Sequence, residues 1–417
     1  MSGTKKNTYK LNKLNKPNKL NKLNKPYKLN KPYKPNKPKT KKGGEVIDSG
    51  AYGCVFYPAL KCKNKKTRTN GISKLSLKRH SITEWNTYKK IVSLLRVIPN
   101  YKKYFLLDNF SICTPDKLTE KDKINLDTCD ALEEYNSTNI NKNLNNLMMI
   151  NMPHGGRNLD IVISNNLLSY NALNILINNL IENAIIPMNK LDIYHFDIKA
   201  SNILYKNNNI KIIDFGTLDF KTKESPIPKR LLKTLGIQFN SPISNILFNS
   251  FILNRINYSL KEAITNKQKI TVESIYKFFK KIYNSFIYNF SEAHEQLLEL
   301  ILLTIYKIKN KKTINSKNTI TDLICNYCSH AIFNCIDFKR QEFDHLNYFN
   351  NIFSKNIDRH GVLSCYIHYI LTPHTSYSNE FKSQIIDIIF DVFFSYQYAI
   401  TVIPIEEIMS KLNKITM

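Results

Sequence analysis

The chain lacks any run of about twenty apolar residues, which excludes a transmembrane helix. Its longest apolar stretch, LLELILLTIYKI from Leu297 to Ile308, reads as an amphipathic core helix. The N-terminal segment has neither the apolar centre of a secretory signal nor the arginines of a transit peptide. Acid is absent from residues 1–42, which hold fifteen lysines, so only +13 of the formal charge of +28 belongs to the other 375 residues. Tryptophan occurs once, at Trp85, so no motif elsewhere can depend on it.

What is present is enough for a large core. The chain has 417 residues, 42% of them hydrophobic, room for one two-lobed domain or two ordinary ones. Lysine, asparagine and isoleucine are used heavily, a bias that AT-rich coding sequence produces without selection on function. From Lys10 to Lys37 a lysine falls at every third position. Such a tail buries nothing and is expected to be disordered. A polyproline II period would line its lysines along one edge, suited to nucleic acid, an anionic membrane surface or an acidic partner. An expanded low-complexity repeat without a ligand is the other reading. Eight cysteines without a secretory signal predict reduced thiols in an intracellular, non-secreted protein. Cys325, Cys328, His330 and Cys335 have metal-like spacing, but Cys325, Cys328, Phe333 and Cys335 also fit one buried helix face.

The most informative run is His195-Phe196-Asp197-Ile198-Lys199-Ala200-Ser201-Asn202, followed twelve residues after Asn202 by Asp214-Phe215-Gly216. Phosphoryl transfer needs charge neutralisation and in-line positioning more than covalent help. Asp197 suits acceptance of a hydroxyl proton, and Lys199 suits steadying of a moving phosphate. Asn202 and Asp214 are hard oxygen ligands of the kind Mg²⁺ takes in small number when nucleotide phosphates and water complete its octahedron. Asn209 to Phe215 (NIKIIDF) is a short apolar strand delivering Asp214, and Gly216 is expected to carry the sharp turn after it.

Matching parts lie upstream in order. Asp48-Ser49-Gly50-Ala51-Tyr52-Gly53, followed by Val55, reads as a glycine hairpin between two strands. Ile72-Ser73-Lys74-Leu75 follows as a third strand after a basic insertion from Lys61 to Asn70. Glu84 comes next, on a helix that places Trp85, Tyr88, Val92 and Leu95 at near-helical spacing.

From about Glu45 to Gly216 this ordered set resembles a divergent serine/threonine protein kinase, similar to those of large nucleocytoplasmic DNA viruses. The resemblance implies a two-lobed α+β fold with a strand-rich small lobe at 43–152 and a helical large lobe at 153–417. It implies ATP and Mg²⁺ as reactants, protein Ser/Thr hydroxyls as acceptors, and a location in the host cytoplasm or the virion. It makes the hairpin a cover over the phosphates and Lys74, paired with Glu84, the residue that holds the α- and β-phosphates. Val55, Ile72 and Leu204 would sandwich the adenine, and Asn151 to His154 would form the hinge after Met149 and Ile150.

The departures are specific. Asp48 stands at the first glycine position, Ile72 replaces a small alanine, and Phe196 occupies the place of an arginine that reads a phosphorylated loop. Activity is therefore expected to be independent of loop phosphorylation. No Ala-Pro-Glu follows; Gln238-Phe239-Asn240-Ser241-Pro242 is the nearest equivalent. The Asp-x-Trp of a central large-lobe helix is absent. The polar stretch from Pro115 to Asn146 reads as a long loop without buried structure. The helical pattern begins at Leu159, and residues after 312 belong either to an enlarged large lobe or to a separate helical domain. Two other functions stay open: a pseudokinase scaffold, and a small-molecule kinase with a similar loop.

Overall fold

The computed structural model describes residues 44–50, 52–65, 71–233, 236–286, 292–309, 316–373 and 376–416. The lysine-rich tail and Ala51 lie outside them. The described chain is mixed α+β, with a small antiparallel sheet in its N-terminal region and a helical C-terminal part. Among the described residues no helix is long and apolar enough to cross a membrane.

The sheet comprises β1 (Glu45–Gly50), β2 (Gly53–Tyr57), β3 (Ile72–Leu77), β4 (Ser111–Cys113) and β5 (Leu147–Met152), in the order β1-β2-β3-β5-β4. Its pairing register places Val55 opposite Lys74 and Lys74 opposite Ile150. Because strand side chains alternate, Val55, Ile72 and Lys74 share one partly open face. Cys54, Phe56, Ser73, Leu75 and Met149 occupy the other and are fully buried.

What buries that second face is the segment from Pro115 to Asn146. It is not the unburied loop its polar composition predicts. Leu118, Leu126, Leu132 and Ile140 are sequestered with Phe56, Leu75 and Met149 in one apolar cluster. The segment achieves this through short 3₁₀ turns, among them Leu126–Thr128 and Ile140–Lys142, which aim isolated apolar residues inward while asparagines face water. Asp122 accepts from Gly44 N at 2.7 Å and Thr119 N at 2.9 Å, and Val46 N donates to Ile124 O, so the insertion also holds the start of β1.

Two further expectations about cysteines change here. Cys54 pairs with Cys129 of the insertion, and Cys62 with Cys113, as disulfides, where the sequence predicts reduced thiols. Cys325, Cys328, Cys335 and Cys365 are free and buried. Phe333 does not share their helix face: it is exposed, and Ile332 fills the position beside Cys328 and Cys335. At about 100° per residue Phe333 points well away from that stripe. His330 stacks on Tyr396 at 3.9 Å between centroids.

Helix α1 (Lys78–Leu95) joins the two parts. Ser81 near its start bonds Met148 O at 2.9 Å on the sheet, while Ile91 and Leu95 near its end enter the large apolar core. The helical part is organised by amphipathic runs with side-chain caps: Ser169 caps Tyr170–Leu180, Asn249 caps Ser250–Thr265, and Ser378 caps Asn379–Phe394. The described residues after 312 share the same core as those before the His195 loop. Tyr170 Oη donates to Leu412 O at 2.9 Å, for example.

Candidate functional site

Five short strands frame the His195 loop. β6 (Arg157–Asn158), β8 (Ile203–Lys206) and β9 (Asn209–Ile212) form one small sheet, and β7 (Ile193–Tyr194) pairs with β10 (Asp219–Phe220). The loop leaves β7 and enters β8, so both of its ends are fixed by strand pairing. Ile213 N donates to Asn202 O at 2.9 Å, which ties the loop to the chain that delivers Asp214.

Asp197 is the centre of the arrangement. Its Oδ2 accepts from Lys199 Nζ at 3.0 Å and from Asn202 Nδ2 at 3.0 Å. Its Oδ1 accepts from Asn240 Nδ2 at 2.8 Å, and its backbone oxygen takes a second hydrogen from Asn202 at 2.9 Å. A carboxylate offers about four lone-pair sites. Three are filled by fixed donors, leaving the carboxylate oriented and able to accept from one more hydroxyl. Asn202 spends its amide nitrogen on Asp197, so its Oδ1 is the atom available to a cation.

Asp214 is exposed and left-handed, with φ of 58°. The turn is therefore carried by Asp214 itself and not by Gly216, whose role is to donate its N–H to Asp214 Oδ1 at 3.4 Å. A short polar side chain that bonds locally tolerates this backbone region best after glycine. Phe215 packs inward on His195 and Phe105, at 5.4 and 6.2 Å between centroids.

Lys74 and Glu84 meet as a two-point ion pair, Nζ lying 2.9 Å from Oε1 and 2.8 Å from Oε2. Both side chains are partly exposed, and such pairs add little stability. The useful consequence is positional: Lys74 is held over the open face beside Val55 and Ile72. Leu204 is buried on β8, close to where any Cβ on Gly155 would fall. In the hairpin, Gly53 abuts β3 so closely that a Cβ would meet Leu75 O at 2.6 Å. Asp48 turns its carboxylate onto Ser49 N at 2.9 Å, and Tyr52 is exposed beside His80 at 5.3 Å. Gly50 ends β1 opposite Gly53. Asn151 belongs to β5 and not to the connection after it: it pairs with Ser73 and Ser111, and its side chain is buried.

Several residues of the site have no obvious mark in the sequence. Asp358, on the helix Ser354–Leu363, accepts from His195 N at 3.1 Å, Phe196 N at 3.2 Å and Asn189 Nδ2 at 2.7 Å. It supplies a helix carboxylate to the loop, with His360 two residues further on in the same helix. Burial raises the Asp358 pKa, an effect opposed first by His195. Phe196 is buried with φ of 63°, a strained position for an aromatic residue that Asp358 pins in place. His195 is fully buried, and burial lowers its pKa against the pull of Asp358, Asp197 and Asp214; its Nε2 is bonded to Ile213 O at 3.1 Å.

The same helix brings His360 Nε2 to Phe239 O at 3.2 Å and Gly361 against Ile198. Thus Asn240, the residue after Phe239, is wedged between the helix and Asp197 and is only 1% exposed. Gly361 was the available clue, since no other glycine follows Gly236 and a lone glycine in an amphipathic helix marks close approach. Arg230 is another such residue. Its backbone N donates to Asp219 Oδ2 at 3.1 Å. Partial desolvation lowers its pKa, and Asp197, Asp219 and Asp214 oppose this. Asp197 and Asp214 therefore share one electrostatic neighbourhood with a guanidinium.

Chemically, the loop offers an oriented carboxylate, hard oxygens from Asn202 and Asp214, and a cation from Lys199, while Lys74 stands on the open face of the sheet. Among the described residues no group of three or more His, Cys, Asp or Glu could hold a metal ion. No protein-family model matches the chain, and no curated protein matches it.

Proposed function

We propose that the chain transfers the γ-phosphoryl group of Mg·ATP to Ser/Thr hydroxyls of protein substrates, from a kinase-like two-lobed framework. The observation that carries this reading is the Asp197 carboxylate held by Lys199, Asn202 and Asn240. Asp358 also gathers three donors, but all of its donors are neutral amides; the Asp197 carboxylate differs in having a lysine among its donors.

The roles follow from the atoms. Asp197 accepts the hydrogen of the incoming hydroxyl and aims its oxygen. Lys199 shields negative charge as the phosphoryl group moves. Lys74, fixed by Glu84, binds phosphate oxygens on the open face of the sheet, and Val55, Ile72 and Leu204 supply apolar contact for a purine. Asn202 Oδ1 and the Asp214 carboxylate fit Mg²⁺ as two hard ligands, a number that suffices only when phosphates and water fill the other sites. The metal would then arrive with the nucleotide and neutralise charge on its phosphates. Ser/Thr rather than Tyr acceptors rest on the resemblance carried by Lys199.

The test is incubation of full-length protein with labelled ATP, Mg²⁺ and a panel of acceptor proteins, with Asp214→Ala as control. Phosphoserine or phosphothreonine above the control supports the reading. Label at the level of the control with every acceptor overturns it. Nucleotide binding without transfer would favour a scaffold.

A further inference from the structure

Both disulfides lie on the buried side of the sheet, the side opposite Lys74. Cys54 lies in β2, one residue past Gly53, and its partner Cys129 lies in the insertion that covers the sheet. Cys54 Sγ is also 3.8 Å from Ser49 Oγ on β1. Cys62 follows β2 and Cys113 ends β4. Asn151 Nδ2 touches both of those sulfurs, at 3.2 and 3.3 Å. Asn151 Oδ1 in turn accepts from Ser73 Oγ, which also accepts from Leu60 N at 2.8 Å, and Ser73 is the chain neighbour of Lys74. The Cα separations of 6.0 and 5.9 Å lie within ordinary disulfide range. The remaining cysteines of the helical part are buried and free, so thiol pairing is confined to the sheet region.

We propose that Cys54–Cys129 and Cys62–Cys113 form a thiol–disulfide switch that sets how tightly the 115–146 insertion clamps the β1–β2 hairpin and β3. Oxidised, the insertion is tied covalently to β2, and the Asn151–Ser73 contacts are fixed between β5 and β3. Reduced, the insertion is held without a covalent tie, by its buried apolar residues, by Asp122, by the Val46 N–Ile124 O bond and by the Lys61–Asp116 contacts. Its short 3₁₀ turns belong to the class of structure that opens locally at low cost.

The redox step balances with glutathione disulfide as oxidant. A cysteine thiolate attacks one sulfur of glutathione disulfide, forming a mixed disulfide and releasing one glutathione thiolate. The partner cysteine thiolate then displaces the second glutathione. Two protein thiols lose two electrons and two protons, and one glutathione disulfide becomes two glutathione thiols. Cys113 is only partly buried, whereas Cys54, Cys62 and Cys129 are 0%, 2% and 3% exposed. Exchange therefore starts at Cys113, and the Cys54–Cys129 pair exchanges only when the insertion lifts. For the reaction proposed above, and resting on that reading, the reduced form would bind Mg·ATP more weakly.

The experiment needs no nucleotide, so it stands or falls apart from phosphoryl transfer. Full-length protein is equilibrated in oxidised and in reduced glutathione buffers, denatured, alkylated and weighed, and the pairs are mapped by peptide mass. Amide hydrogen exchange is followed in the same two buffers. Four alkylated cysteines in the oxidised buffer and eight in the reduced one are expected, with exchange over residues 45–57 and 115–146 faster by about tenfold on reduction. In Cys129→Ser the hairpin should exchange at the reduced rate in either buffer, while Cys365→Ser should behave as wild type. Eight alkylated cysteines in both buffers, different pairings, or correct pairings with unchanged exchange would each overturn the switch. If Cys129→Ser does not fold, the wild-type comparison alone decides.

Discussion

Asn240 donates a hydrogen to Asp197 Oδ1 over 2.8 Å from forty-three residues downstream, and also reaches Ile198 O at 3.1 Å. It thus fixes the side of the carboxylate that Lys199 and Asn202 leave free. Asn240→Leu should lower kcat by about tenfold to thirtyfold, the equivalent of ~1.5–2 kcal/mol for one hydrogen bond to a charged group. The KM for ATP should move by less than about twofold, because Asn240 bonds Asp197 and Ile198 and not Lys74 or Glu84. Steady-state kinetics separate the two parameters, and a loss confined to KM would contradict this positioning role.

Asp358 satisfies two loop amides and Asn189 at once. Asp358→Ala leaves three buried donors without an acceptor, which should cost ~3 kcal/mol or more of stability. Phe196 would also lose the contact that holds its left-handed backbone. Asp358→Asn, retaining one acceptor oxygen, should cost less. Urea unfolding of the two variants checks the order, and equal losses would show that the amide contacts are unimportant.

Stability should fall on acidification through His360. Burial lowers its pKa from 6.5 to about 4, opposed by its bond to Phe239 O. The folded state thus holds fewer protons than the unfolded state between these values. The contribution is fully present above about pH 6.5 and is lost as pH falls towards 4, amounting to roughly 3 kcal/mol. Thermal unfolding from pH 7.5 to 4 should be less steeply pH-dependent in His360→Asn than in wild type. Parallel curves would show that His360 does not carry the effect.

Two glycines near the site should respond in opposite ways. A Cβ on Gly361 would lie 2.8 Å from Ile198 O and 2.9 Å from Ile198 Cβ, so Gly361→Ala must displace the Asp197 loop. Overpacking of this kind costs ~1–3 kcal/mol, and activity should fall with it. A Cβ on Gly216 would approach only Asp214 Oδ1, at 3.3 Å. Gly216→Ala should therefore stay within about 1 kcal/mol of wild-type stability. The comparison is made by chemical unfolding, and a larger loss at Gly216 would reverse the assignment of the turn to Asp214.

Much of this was readable from local pattern. The family resemblance points to Lys74 with Glu84 and to Asp197 with Asn202, pairs that do meet in the fold, and the amphipathic helices announce themselves by period. The insertion was not, because its buried residues are single leucines separated by polar turns, and no periodicity marks them. The cysteine pairs were hidden for a different reason: Cys54 and Cys129 are 75 residues apart and meet only through that insertion. Asn240 and Asp358 are ordinary polar residues in sequence. Their importance comes from the fold bringing a distant helix against the loop. Gly216 misled because a glycine after Asp-Phe suggests a left-handed turn, whereas the structure gives that conformation to Asp214.

The most direct test is single-turnover transfer from Mg·[γ-³²P]ATP to acceptor protein by wild type and Asp197→Asn, side by side. The account predicts labelled Ser or Thr with wild type and a rate lower by at least about a hundredfold for Asp197→Asn, with nucleotide binding retained. Equal rates for the two proteins, or no transfer by either under conditions where Mg·ATP is bound, would contradict it.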